Sequence, residues 1–162
     1  MEKGKLIEVK GDATKPQCDG LVVIAHLCNN WSLWGAGFVR ALENLWPHLK
    51  LAYKAFCNGK RPEELLGCVQ ILEAEPGICV ANLIGQNGVG RGKQRVDYAA
   101  LSVCLERLAT FLSQADTPYT VHMPRMGSGL AGGDWNRVQE LVESKLVAAG
   151  HTVYVYEFDA AA

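Results

Sequence analysis

The chain has 162 residues, 49% hydrophobic and 20% charged, which suits a globular fold that buries its core without disulfide or metal support. Sixteen Lys and Arg against 17 Asp and Glu leave a formal charge of -1, which argues against a protein that grips a nucleic-acid backbone by bulk electrostatics and favours a small ligand. No apolar run approaches the roughly 20 residues of a membrane span.

Residues 6–9 are a short β-favouring run ended by Gly11-Asp12-Ala13-Thr14, and residues 20–25 are an almost continuous apolar run. Continuous apolar character predicts a strand covered on both faces, with His26, Cys28 and Asn29 delivered at its C-terminal end. Trp34-Gly35-Ala36-Gly37-Phe38 then leads into a helix over 39–45 that Pro47 closes, and a second helix is expected over 48–56. Residues 57–62 read as a loop.

Strands are expected over 67–73 and 78–84, separated by Glu75-Pro76-Gly77. The second runs into residues 85–92, a polar segment with four glycines. Tyr98, Leu101, Cys104, Leu105, Leu108, Phe111 and Leu112 form an apolar stripe at helical spacing, with Asp97 placed to cap that helix. A strand over 120–124 enters the glycine-rich stretch 127–133, and a helix over 135–149 starts after Asp134. Gly150 stops it, and a strand over 152–158 ends the chain.

Strands alternating with helices, without repeat or linker, predict one domain over residues 1–162. Its expected fold is α/β, a three-layer α/β/α sandwich with a mixed, mostly parallel central sheet. All three glycine-rich loops follow strands and can meet at one sheet edge, where ligands of open α/β sheets bind. Glycines at the start of a helix let phosphate approach bare N–H groups. The six cysteines contain no C-x-x-C pair and sit among apolar neighbours, so the expectation is reduced thiols, no zinc site and a cytoplasmic, monomeric protein.

These pieces, in this order, resemble the macrodomain family of ADP-ribose-binding modules over nearly the whole chain. Gly11-Asp12-Ala13-Thr14 is similar to the family box whose aspartate hydrogen-bonds the adenine amino group. His26-Leu27-Cys28-Asn29 with Trp34, Gly35, Ala36, Gly37 and Phe38 is similar to the segment holding the distal ribose and diphosphate. Gly127, Ser128, Gly129, Leu130, Ala131 and Gly132 are similar to the second phosphate-gripping loop. The resemblance therefore implies a ligand site made of these loops together with Gln86, with no metal and no cofactor; for the alternating Tyr154 and Tyr156, packing of one on adenine, core packing and surface exposure all stay open.

The branch that the pattern resembles includes ADP-ribose 1''-phosphate phosphatases, which carry a histidine where His26 stands, and ADP-ribosyl glycohydrolases. The latter use a lysine after the strand ending here at Ile84 and an aspartate in the second loop. This chain has Gln86-Asn87 and Ala131 there, departures that point away from a lysyl adduct, with Lys93 the lysine nearest in sequence. The expected activity is metal-independent removal of phosphate from ADP-ribose 1''-phosphate, His26 serving as general acid or base. Two alternatives stay open: an ADP-ribose reader with little turnover, and a glycohydrolase acting on an ADP-ribosylated protein or acyl ester. His26 as a structural hydrogen-bond partner, Asn29 as a turn residue and Asp12 as a turn closer are the competing local readings.

Overall fold

The computed structural model describes residues 4–35, 37–90, 93–127 and 132–158; the site candidates Ala36, Ser128, Gly129, Leu130 and Ala131 lie outside them. Six strands form one sheet: β1 (Leu6–Lys10), β2 (Leu21–Asn29), β3 (Val69–Glu75), β4 (Ile78–Gln86), β5 (Tyr119–Pro124) and β6 (Val153–Glu157). Their order is β1-β6-β5-β2-β4-β3, parallel throughout except for the β3–β4 pair.

Helices cover both faces. Along β2 the side chains alternate: Val23 and Ala25 face α4 (Tyr98–Gln114) and α5 (Trp135–Val142), while Val22, Ile24 and Cys28 face α1 (Phe38–Leu45) and α2 (His48–Cys57). The result is an α/β/α sandwich with two apolar cores. Leu42, Leu49, Leu101, Leu105 and Leu108 are fully buried in them, each contributing roughly 1.5–3 kcal/mol by leaving water. Double coverage explains why β2 and β4 read as unbroken apolar runs rather than alternating ones. Among the described residues no helix is long and apolar enough to cross a membrane, and all six cysteines are free thiols.

Several boundaries shift by one or two residues, β3 lying over Val69–Glu75 rather than 67–73 and β4 reaching Gln86, and three differences are larger. β2 does not end at residue 25 but pairs with β4 as far as Asn29, with His26 opposite Asn82 and Cys28 opposite Ile84. The added stretch alternates, and His26 occupies an inward position that hydropathy alone counts as an end. A short helix α3 (Pro62–Leu65) replaces part of the expected loop, with Pro62 in its first turn and Glu64 bonded back to Arg61. The last helix changes pitch, α5 passing into a π-helical turn at Glu143–Val147.

Candidate functional site

Because β1, β6, β5, β2 and β4 are parallel, their C-terminal ends share one edge of the sheet. Gly11, Asp12 and Ala13 follow β1 there, Pro124 ends β5, and Tyr156 and Phe158 close β6. With Gly37, Phe38 and Ala41 at the start of α1 they enclose a cavity of about 410 Å³, a size suited to part of a nucleotide. Its wall is largely apolar, with Phe38, Tyr156 and Phe158 its aromatic members, and Phe158 stands 71% exposed.

Asp12 serves two ends. Its Oδ1 accepts from Thr14 N at 2.9 Å and from Thr14 Oγ1 at 2.7 Å, closing the turn after β1. The second carboxylate oxygen has no hydrogen-bond partner among the described residues, and Asp12 lines the cavity. Both the turn role and an acceptor free for a ligand are thus present in one side chain.

Of the two tyrosines, Tyr156 lines the cavity, and its hydroxyl accepts from Gln17 N at 2.9 Å. That hydroxyl lies 2.8 Å from His122 Nδ1, and His122 Nε2 lies 2.8 Å from Thr120 Oγ1. Burial pushes the His122 pKa down to about 4, so the ring is neutral. Nδ1 then accepts from the tyrosine while Nε2–H donates to the threonine, an assignment that satisfies every partner. Tyr154 stacks on the same imidazole, centroids 4.8 Å apart and planes at 5°.

The helix starts on this edge differ in their capacity for an anion. The N-cap of α5 is Asp134, whose carboxylate accepts from Asn136 N at 2.9 Å and occupies the positive end of the dipole. The N-cap of α1 is Gly37, at φ 85°, with no side-chain cap and no acid in the first turn. Backbone N–H groups at the head of α1 therefore lack a built-in carboxylate, and they adjoin the cavity.

His26 lies beneath that helix start, 2% exposed. Its ring meets Trp34 edge-on at 5.9 Å and Phe38 at 5.6 Å. An amide relay fixes its tautomer. Gln70 Nε2 donates to the Ala52 carbonyl at 3.1 Å, which turns Gln70 Oε1 toward Asn82 Nδ2 at 2.9 Å. Asn82 Oδ1 is left to accept from His26, so Nε2 carries the proton. Burial lowers the His26 pKa to about 4, against a smaller upward pull from the Asn82 bond.

Asn29 ties the loop that follows β2. Its Oδ1 accepts from Trp31 N at 2.9 Å and Leu33 N at 3.2 Å, and its Nδ2 donates to the Leu33 carbonyl at 2.7 Å. One amide hydrogen is all the side chain retains beyond these bonds. Trp34, 4% exposed, carries an indole N–H without a partner among the described residues, whereas Gly35 is exposed beside it. Gln86 turns back onto its own loop, Nε2 donating to the Gly88 carbonyl at 2.9 Å. Asn30 ties that loop to β2 by accepting from Gly88 N at 2.8 Å.

The second glycine loop abuts this one. A Cβ at Gly132 would lie 2.8 Å from the Lys93 carbonyl, and one at Gly127 would lie 2.9 Å from Val96. Lys93 itself is exposed. The cavity residues Ala41, Pro124 and Phe158 were not expected from sequence; continuing the Tyr154, Tyr156 alternation by two more positions finds Phe158. Among the described residues no group of three or more His, Cys, Asp or Glu could hold a metal ion.

No family model matches the chain. In structure it is similar to a protein of unknown function from Bacteroides thetaiotaomicron, 36% identical, with 94% of this chain and 98% of that one covered at a TM-score of 0.86. It is likewise similar to a macrodomain protein from Streptomyces coelicolor, 38% identical over 94% of this chain and 99% of that one, TM-score 0.78. In sequence it is 25% identical to an ADP-ribose 1''-phosphate phosphatase of Meyerozyma guilliermondii, over 88% of this chain and 95% of the yeast protein.

Proposed function

Because this chain belongs to the macrodomain family, as its 38% identity to a macrodomain protein across 94% of its length shows, we propose that it binds ADP-ribose and hydrolyses the phosphate ester of ADP-ribose 1''-phosphate. The observation that carries the binding reading is the apolar cavity lined by Phe38, Tyr156 and Phe158 together with Asp12, which spends only Oδ1 on hydrogen bonds among the described residues. The other Asp12 oxygen accepts from the exocyclic amino group of adenine, and Phe38, Tyr156 and Phe158 offer the base its apolar surroundings. The diphosphate then lies over Gly35, Gly37 and the head of α1, bound by backbone N–H groups rather than by Lys or Arg. This arrangement directs the distal ribose toward the segment between Asn29 and Trp34. The names of relatives such as the Meyerozyma guilliermondii enzyme support the phosphatase reading. In that reaction water attacks phosphorus, the bond from phosphorus to the C1'' oxygen breaks, and the oxygen leaves with a proton.

His26 enters this proposal as a positioning residue. Its Nε2–H is committed to Asn82, and Trp34 and Phe38 rest on its ring. The same burial favours a second reading, an ADP-ribose reader with little turnover, since the histidine expected to move the proton is held neutral and out of solvent. Incubation with ADP-ribose 1''-phosphate, with free phosphate measured against a protein-free control, separates the two. Release above the control supports the phosphatase; none, with calorimetric ADP-ribose binding intact, leaves the reader.

A further inference from the structure

A second, open groove of about 670 Å³ adjoins this site, formed by the loop after β2 and by the end of α2 with the residues that follow it. Its apolar surface comes from Trp31, 48% exposed, and Leu33, 43% exposed. These side chains are held out by a rigid turn. Asn29 makes three hydrogen bonds to it, Tyr53 Oη–H donates to the Asn29 carbonyl at 2.5 Å, and Ser32 adopts φ 60°, a conformation a non-glycine residue rarely takes. A turn so constrained to present apolar side chains to water is preorganised for contact.

The charge in the groove has one sign. Lys54 Nζ donates to the Ser32 carbonyl at 2.5 Å, and Lys60 Nζ sits 3.8 Å from the centroid of the Phe56 ring. Neither ammonium has a carboxylate partner among the described residues, while Glu63 and Glu64 nearby are both spent on Arg61. Among the described residues no acidic side chain lines the groove.

We propose that this groove docks an acidic peptide segment of a protein partner, its aliphatic side chains against Trp31 and Leu33 and its carboxylates on Lys54 and Lys60. This rests on the reading of the neighbouring site as one for ADP-ribose, because the turn that forms the groove continues directly into Trp34 and Gly35. Two lysines meet two carboxylates; they do not form the basic track that a polynucleotide backbone requires, and the chain as a whole carries a charge of -1. Trp31 is also already engaged by the Arg95 guanidinium, 5.9 Å from its ring centroid.

The test is fluorescence anisotropy of a short fluorescein-labelled peptide of alternating glutamate and leucine, titrated with the protein without nucleotide. Saturable binding is expected, weakening with added salt and falling by about tenfold in the Lys54→Glu, Lys60→Glu double variant. Trp31→Ala weakens it as well, and calorimetric ADP-ribose affinity stays within about twofold of the parent in the lysine variant. Absence of saturable binding, or binding that survives both charge reversals, overturns the proposal. So does tighter binding of an oligothymidine of equal charge. Peptide binding without any ADP-ribose affinity would instead remove the nucleotide reading and leave the groove intact.

Discussion

His26 donates its Nε2–H to Oδ1 of Asn82, the residue directly opposite it in the β2–β4 register. The bond ends an amide relay that starts on the Ala52 carbonyl, and the one partner of Nδ1 among the described residues is Cys28 Sγ at 3.8 Å. Since Trp34 and Phe38 pack on this ring, the histidine sets the position of the segment that carries Gly35 and Gly37. Removing it leaves a cavity and an unmatched Asn82 oxygen. The His26→Ala variant should therefore lose about 3 kcal/mol of stability, and ADP-ribose affinity and phosphate release should fall together. Urea unfolding, calorimetry and a phosphate assay on one preparation check this. Selective loss of release with affinity retained would give His26 back the role of general acid or base.

The same burial sets a pH dependence. His26 and His122 both have folded pKa values lowered to about 4 from an ordinary 6.5, so the unfolded chain takes up protons first. Stability from these residues is complete above pH 6.5 and is lost as pH falls toward 4. The fully buried His26 accounts for about 3 kcal/mol across that window. Urea midpoints should hold steady above pH 6.5 and drop below it, and the imidazole C–H resonances of both rings should not titrate while the protein remains folded. A midpoint independent of pH in that window would contradict the neutral assignment.

The sheet was legible because its strands are covered on both faces, and continuous apolar runs such as Val22 to Ala25 have few other uses. Asp97 was legible as a cap for an equally local reason, and it accepts from a backbone N–H of its helix, as Asp134 does at the head of α5. What sequence does not carry is the depth of a side chain. His26 reads as a strand-end residue because imidazole is polar, yet β2 continues to Asn29 and the partners that satisfy the ring, Asn82 and Gln70, are far away in sequence. His122 has no motif around it and reads only as structural or surface, for the same reason: its partner Tyr156 is far away in sequence. Two positions read as a phosphate grip, Gly127 and Gly132, are packed against residues 93–96, a contact that no local motif encodes.

Asp12 spends Oδ1 on its own turn and lines the cavity, where its other oxygen is proposed to meet the ligand, so Asp12→Asn separates the two roles. Asparagine retains an acceptor for Thr14 N and turns its amide N–H₂ toward the ligand. Stability should stay within about 1 kcal/mol, while ADP-ribose affinity falls by about tenfold or more because two donors now face each other. The inosine analogue of ADP-ribose, with a carbonyl in place of the amino group, should gain affinity in the variant. Calorimetry with both nucleotides reads the exchange, and unchanged preference would place adenine elsewhere.

Two glycines on the site edge should fail in different ways when given a side chain. Gly37 has φ 85°, and a Cβ there meets nothing within 4 Å. Its Ala variant should lose about 1–3 kcal/mol, the cost of a backbone conformation at φ 85° and ψ -134° that glycine adopts and other residues avoid. The added methyl projects beside the head of α1, where the diphosphate is proposed to lie, so ADP-ribose binding should fall sharply. Gly133 is the reverse case, because a Cβ there comes within 2.7 Å of the Gly127 carbonyl and 2.8 Å of Val96. Neither neighbour can yield without moving the short Gly133 N to Gly127 O hydrogen bond, 2.7 Å, that closes the loop. The Gly133→Ala variant should thus lose stability more than Gly37→Ala does, with binding lost as a consequence. Comparing urea midpoints and calorimetric affinities for the pair decides it: if Gly37→Ala binds ADP-ribose like the parent, the head of α1 is not the diphosphate seat.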